Sequence, residues 1–462
     1  MEDQNALGSA PVGKLMVKLA VPAIAAQMVN ALYNVVDRMY IGHMKGVGDL
    51  ALTGLGVCFP ILMFISALSA LAGMGGGSRA AIRMGEKDIE GAESILGGCA
   101  ALLLVMAVAS TAVFQVFRDP LLLLFGASEN TLPYASGYLG VYLWGSVSVL
   151  LSLGLNNFIT TQGFSLFSML TVVIGAVCNI VLDPIFIFGL DMGVEGAALA
   201  TILSQTVSAV WVVAFLRGKK TLLKLRVKWL RLKASVLLPV VAVGVSPFIM
   251  QSTESLVNIS FNSSLKAYGG DVYVGAMTIA SSVMQVVTMP LYGLAQGAQP
   301  IVGFNFGAGN MERVRRAFRL LFFSCVIYTV AAWAVVECFP GVFIAIFNDK
   351  PELVEVARRT IRVYFAGIFA FGVQSACQQT FVALGEAKVS LFLALLRKVI
   401  LLIPLVFILP NFLADKVFAV WLAEPVADIL AAGTTGIVFF SRFSGILKRR
   451  KETLRKGSGE AG

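Results

Sequence analysis

The chain has 462 residues, 58% of them hydrophobic and 13% charged, with a formal net charge of +10 and a single histidine. A soluble chain of this length carries about twice that charged fraction and divides into two or three domains; here the apolar residues gather into stretches near the ~20 residues of a membrane-spanning helix. Such stretches exclude a membrane β-barrel, whose strands alternate over about ten residues, and six scattered cysteines without a CxxC pair point to neither a disulfide framework nor a metal centre.

The predicted spans run 14–41, 51–74, 95–117, 134–160, 168–189, 196–216, 235–265, 275–298, 318–340, 360–384, 389–410 and 417–440. Ahead of them MEDQNALGSAPVG is acidic and polar, without the basic start of a secretory signal. The first span carries Gln27, Asn30, Asn34 and Asp37 at i, i+3, i+7 and i+10, which fall within about an 80° sector of a helix. Holding Asp37 inside a span costs about 2.5–3.5 kcal/mol, so such an acid usually serves an ion or substrate pathway. His43, just beyond, is a lone loop histidine and reads as decoration rather than as a proton relay.

In the fifth span Asn179 and Asp183 stand at i, i+4 and share a face. Pro184 follows and has no N–H for the carbonyl of Ile180, which loosens the helix there. Thr201 lies inside the sixth span. Two carboxylates, an amide and a hydroxyl make an all-oxygen set, suited to a hard cation such as Na+ or to a shared proton. The basic segment 217–233 then separates two groups of six spans. The seventh span repeats the polar stripe with Gln251, Glu254, Asn258 and Asn262, so two corresponding helices are expected to line one cavity. Arg397 and Lys398 of the eleventh span are expected to meet Glu424 and Asp428 of the twelfth in a structural ion pair.

The second half echoes the first at an offset of 222, which aligns Gly75 with Gly297, Gly85 with Gly307, Gly163 with Gly385, and Asn156-Asn157 with Gln378-Gln379. Pro184 falls opposite Pro404 at an offset of 220, and Pro22 opposite Pro247 at 225. Six spans per repeat start both halves from the same side, an arrangement found in secondary transporters with a midplane site at the repeat interface. The basic residues crowd into the termini and the connections on that same side, which places both termini in the cytoplasm. The positive charge is therefore a topology signal that touches anionic lipid, and nucleic acid is not an expected partner. No GxxxxGK[ST] phosphate loop occurs, the run GMGGGS at 73–78 lacking its lysine, so no ATP engine is expected. No nucleophile–base or His/Asp metal constellation points to an enzyme.

Several segments resemble the multidrug and toxic compound extrusion (MATE) family and, within it, the bacterial MepA-type branch. These are YNVVDRMYIG at 33–42, Gln162-Gly163, NIVLDPIFIFG at 179–189, GVEGAALA at 193–200 and QGAQPIVGFNFGAGN at 296–310. The resemblance implies an all-α membrane protein of about twelve helices in two pseudo-twofold related six-helix lobes, forming a V around a central cavity. It implies an N-lobe over 1–216, a linker over 217–234, a C-lobe over 235–440 and a cytoplasmic tail over 441–462. The implied function is export of cationic or amphipathic organic compounds across the bacterial cytoplasmic membrane in exchange for H+ or Na+, by a monomer without cofactors. It carries the family's cation site onto Asp37, Asn179, Asp183 and Thr201. A second acidic site of some members pairs a glutamate of the seventh span with an aspartate of the tenth; Glu254 matches the first, but FGVQ at 371–374 holds no acid. Glu254 is then expected to be a cavity charge that attracts cationic substrates, with Gln27, Met28, Asn30, Asn34, Asn157, Met250, Gln251, Asn258 and Met284 as further cavity contacts. Ion binding at Asp37/Asp183 would bend or repack the first span near Pro22. The alternative function is a flippase or exporter of a lipid-linked or metabolic substrate on a related two-lobe fold.

Overall fold

The computed structural model describes residues 2–345 and 351–457, and all regular structure among them is helical. Ten helices are long and apolar enough to cross a bilayer by themselves: Val12–Gly42, Gly48–Gly85, Ile89–Val116, Ser165–Gly189, Gly193–Arg217, Ala234–Gly269, Val272–Gly307, Met311–Cys338, Ala387–Asn411 and Lys416–Lys456. Two bent pairs complete the twelve. Leu132–Trp144 and Ser146–Thr161 meet at 60° as the fourth span, and Leu353–Tyr364 and Ile368–Ala383 meet at 48° as the tenth. Of the expected basic tail, residues 458–462 lie outside the described residues.

The two breaks occupy matching places in the repeat. The fourth span breaks at Gly145, where a Cβ would run into the side chain of Ile202 in the sixth span. The tenth breaks beside Gly367, 222 residues later, where a Cβ would lie 2.6 Å from the Cα of Pro425 in the twelfth span. In each half a neighbouring helix is pressed onto the bend, and only glycine leaves room for it. A π-helical turn lies beside each matched proline, after Pro184 at Ile185–Gly189 and before Pro404 at Leu396–Leu402. A proline that cannot donate to the ladder invites such local rewinding.

Apolar side chains collect into two buried clusters. One contains Ile65, Leu96, Leu103, Leu139, Phe158 and Leu216 of the first half; the other contains Phe261, Leu291, Phe318, Phe381, Trp421 and Phe439 of the second. The first span is shared between them. Leu15, Met16 and Leu19 pack with the second-half cluster, while Ile41 packs with the first. Packing therefore crosses the boundary that the sequence repeat suggests.

The halves touch where their helices have no side chains to hold them apart. The second and seventh spans meet at Gly75 and Gly244; a Cβ on Gly244 would strike the carbonyl of Leu71. The second and eighth meet at Gly85 and Gly307, where a Cβ on Gly307 would strike the carbonyl of Ile82. Gly297 and Gly293 lie against Ala20 and Ile24 of the first span. All these contacts fall in the parts of the spans nearest the chain termini. On that side Gln299 Nε2 also donates to Ser78 Oγ at 2.6 Å, Arg313 donates to the carbonyl of Ala10 at 2.7 Å, and Arg450 pairs with Glu86. Farther along, Asn34 and Glu254 are exposed although each sits well inside a span. An amide and an acid so placed face a polar opening rather than lipid, since hydrocarbon would leave them unsolvated.

The basic connection between the halves is strapped down. Gln162 Oε1 accepts from Thr221 Oγ1 and from the backbone N–H groups of Leu222 and Leu223, each at 2.8 Å. Glu93 accepts from the N–H of Lys224 at 3.1 Å and pairs with Arg226 at 3.0 Å.

Candidate functional site

The first span packs against the fifth, and this contact brings Asp37 and Asp183 together. Their carboxyl groups are neighbours. Asp37 is 8% exposed and Asp183 0%, so the pair is shut away from bulk water. Asn179, one turn before Asp183, donates Nδ2 to Asp183 Oδ1 at 3.1 Å and to Thr201 Oγ1 of the sixth span at 3.4 Å. Tyr138 of the fourth span lies beside Thr201. Four spans thus contribute to one polar node.

The node has fewer donors than acceptors. Asp37 Oδ1, Asp183 Oδ2 and Asn179 Oδ1 are all buried without a hydrogen-bond partner. Among the described residues no lysine or arginine is hydrogen-bonded or ion-paired to either carboxyl. A buried acceptor left unpaired costs about 1–3 kcal/mol, and more when charged. Two adjacent carboxylates with no positive neighbour in contact, and three free oxygens, are chemically short of one cation or one proton. The donor set is all oxygen, which suits H+ or Na+ and not a softer metal. No group of three or more His, Cys, Asp or Glu able to hold a metal ion occurs among the described residues.

A small cavity of about 40 Å3 with several polar side chains in its wall adjoins the node at Asn179 and Thr201. Its walls include Asn30 and Tyr33 of the first span, Ser152 and Asn156 of the fourth, Thr171 and Asn179 of the fifth, and Thr201, Ser204, Gln205 and Ser208 of the sixth. Water needs only ~10–15 Å3 of such volume, so the cavity has room for water beside Asn179 and Thr201. The sixth-span residues are 201, 204, 205 and 208, one helical face, and that spacing is the sequence signal by which they were findable. Tyr33 and Tyr138 carried no such signal.

The polar stripe of the first span divides on folding. Asn30 lines the cavity and Asp37 is buried, but Asn34 is exposed and donates its amide to the carbonyl of Asn30 at 2.8 Å. Gln27 is half-buried and Met28 exposed. Asn157 stands outside the cavity lining; its amide donates to the carbonyl of Leu153 at 3.0 Å, and it abuts Gly73.

In the second half, Gln251 accepts from Ser66 Oγ across the halves at 3.4 Å, and Asn258 donates to the carbonyl of Glu254 at 3.1 Å. Met250 Sδ accepts from Gln378 Nε2 at 3.3 Å, and Met284 is half-buried against the core. Arg397 Nε donates to Asp428 Oδ1 at 2.7 Å and its terminal nitrogen to Glu424 Oε1 at 2.9 Å. Lys398 corrects the expectation drawn for it. It pairs with Glu254 instead of the twelfth-span acids and donates to the carbonyl of Met250 at 2.7 Å. Successive residues on a helix point about 100° apart, so the two bases cannot both face the twelfth span. Glu254 is thus an ion-paired acid at the edge of the opening, its side chain half exposed at 50%.

The family model described as MatE matches the chain twice, over residues 22–185 and 247–408. The multidrug export protein MepA of Staphylococcus aureus (strain NCTC 8325 / PS 47) is 24% identical over 437 residues, covering 94% of each chain. Among solved structures, a multidrug resistance MATE family transporter of the MOP superfamily in an outward-facing conformation superposes with a TM-score of 0.89 at 25% identity, covering 97% of this chain and 99% of that one. A MATE structure in a bent conformation gives 0.90 at 25% identity, with the same coverage.

Proposed function

Because this chain belongs to the MatE family, a family of membrane transporters, we propose that it is a secondary active multidrug exporter, an antiporter that expels cationic or amphipathic organic compounds in exchange for H+ or Na+. The observation that carries this reading is the Asp37/Asp183 pair, buried and adjacent, which together with Asn179 holds three oxygens without partners. A coupling ion completes that node. With it bound, the first and fifth spans are held together through Asp37 and Asp183; without it, two adjacent buried charges repel and favour a separated packing.

The first span is the element that converts this difference into motion. It touches the fifth span at Asp37 and the eighth at Ala20 and Ile24, so its packing reports to both halves. Pro22 lies inside this helix next to Ala20, and a proline there weakens the ladder where a bend costs least. The ion must bind one packing of the first span better than the other, since equal affinity for both would shift nothing. Organic cations compete for the same negative region, and loading the ion from outside releases them. The reading places the protein in the bacterial cytoplasmic membrane with both termini inside, since the closed glycine contacts and the basic connection lie on the terminal side.

Expression in a bacterium stripped of its own exporters tests this. The reading expects lowered accumulation of lipophilic organic cations and raised tolerance to them. Both effects are lost in Asp183→Asn at equal membrane abundance. Unchanged accumulation with wild-type protein present in the membrane would contradict it.

A further inference from the structure

Among the described residues a single ion pair joins the first half to the second, Arg450 with Glu86. We propose that this pair is a latch on the terminal face that opens by exchange of partners. Glu86 is held by Arg450 of the second half while the face is shut, and by Arg79 of its own helix once the halves part. The proposal rests on the antiporter reading, which needs the terminal side to open, and adds the residues that make such opening affordable.

Arg450 moves with the second half. It lies on the extension of the last helix, which Phe443, Ile446 and Leu447 fix in the second-half core. Arg450 also donates to the carbonyls of Phe306 at 3.2 Å and Gly307 at 3.1 Å, in the last turn of the eighth span, and its guanidinium lies 5.5 Å from the ring of Phe306. Carbonyls at a helix end carry the negative end of the helix dipole, so Arg450 keeps a partner when Glu86 leaves. The ion pair is mostly covered, at 16% and 22% side-chain exposure. Breaking a covered pair leaves the deserted charge unsolvated unless something replaces the lost partner, and it is Glu86 that needs one.

The replacement is on the same helix as Glu86. Arg79, Arg83 and Glu86 stand at i, i+4 and i+7 in Gly48–Gly85 and the residue that caps it, within about a 60° sector of one face. Arg83 already holds the second oxygen of Glu86 at 3.3 Å and reaches Asp88 at 3.1 Å. Arg79 is half-buried, yet among the described residues it has no hydrogen bond and no ion pair. Its charged neighbours are Arg83, Glu86 and Arg450, two of like sign and one acid that the other two arginines hold. A guanidinium with five donors and no acceptor is an incomplete arrangement in the shut face. Arg79 packs instead against the second half: a Cβ at Gly385, in the turn between the tenth and eleventh spans, would lie 3.6 Å from its terminal nitrogen. The motion that draws Arg450 from Glu86 therefore also lifts Gly385 off Arg79, which is then free to turn along its own helix to Glu86. Glu86 keeps two arginines in either state, and neither state strands a charge.

The test measures the separation of the terminal ends of the two halves in the full-length protein in lipid nanodiscs, from acid to alkaline pH. Spin labels at Leu166→Cys of the first half and Arg316→Cys of the second, both exposed positions, report it by electron–electron resonance. Cys178 and Cys338, the two cysteines that are not buried, are replaced by serine. The parent is expected to show a shorter and a longer separation. Arg450→Gln removes the partner of the shut state and should raise the ratio of longer to shorter by about tenfold. Arg79→Gln removes the partner of the open state and should lower that ratio by about tenfold, the size of shift that one charge-assisted hydrogen bond supports. Arg79→Lys keeps the charge and should stay near the parent, which separates the exchange from a folding defect. The proposal is overturned by a parent with one separation at every pH, by two glutamine variants that do not move in opposite directions, or by Arg79→Lys behaving as Arg79→Gln. These distances need neither a drug nor a driving gradient, so a failure of efflux bears on the antiporter reading alone.

Discussion

Asn179 holds Asp183 from one helical turn away, its Nδ2 donating to Asp183 Oδ1 at 3.1 Å while Asp183 Oδ2 has no partner. The amide fixes one oxygen and leaves the other unpaired, so the orientation of Asp183 depends on a neutral donor. Asn179→Leu removes that donor at nearly constant volume. A hydrogen bond to an ionised acceptor contributes about 1.5–3 kcal/mol, so the concentration of coupling ion needed for half-maximal efflux should shift at least about tenfold. Titration of efflux against pH and against Na+ checks this; an unshifted midpoint for both ions contradicts it.

Gln162 is the buckle of the basic connection, accepting three hydrogen bonds on one oxygen. Gln162→Leu leaves the two backbone N–H groups without their acceptor, at about 1–3 kcal/mol for such buried donors, while Thr221 keeps the carbonyl of Leu223 at 2.9 Å. The segment 217–233 is rich in lysine and arginine, so its release is readable with trypsin. Cleavage there should become several-fold faster in the variant, with the spans still intact.

Arg397 should be hard to remove alone and easier to remove with its partners. Arg397→Met strands Glu424 and Asp428 in a buried site and is expected to cost about 3–5 kcal/mol, seen as loss of monodisperse protein or a lowered melting temperature in detergent. The triple variant Arg397→Met/Glu424→Gln/Asp428→Asn should recover most of that stability. A triple variant as unstable as the single one would mean that packing, not charge, holds the eleventh span to the twelfth.

The glycine crossings near the termini make a closed face. A Cβ at Gly307 would strike the carbonyl of Ile82, and one at Gly85 the carbonyl of Phe304. Overpacking of this kind costs about 1–3 kcal/mol. Gly307→Ala should therefore loosen the contact of the second and eighth spans. Cysteine-reactive labels placed along that crossing should gain access in the variant, and equal labelling would contradict the closed face.

Much of this was legible in the sequence because a bilayer demands long apolar helices and makes each buried acid conspicuous. The twelve spans fall within a few residues of their expected places along most of their length, and the main extensions are at the ends: Gly48–Gly85 and Lys416–Gly457 run on past the expected spans as continuous helix. The bends of the fourth and tenth spans were not legible, since a single glycine in an apolar run is no signal without the neighbour that presses on it. The repeat did carry the information, because Gly145 and Gly367 stand at the same offset as Gly75 and Gly297. Helical spacing placed Asn179 beside Asp183, but it could not say that Asn34 would turn outward while Asp37 turned in: an 80° sector straddles the edge between packed and open faces. Lys398 failed for a similar reason, one residue of rotation being enough to send it to Glu254.

The measurement closest to the central claim is efflux of a fluorescent organic cation from proteoliposomes, with pH and Na+ gradients imposed separately on wild type, Asp37→Asn and Asp183→Asn. The account predicts efflux driven by one of the two gradients in wild type and abolished in both variants, with all three proteins equally reconstituted. Efflux that ignores both gradients, or variants that transport as fast as wild type, would contradict the carboxylate pair as the coupling site.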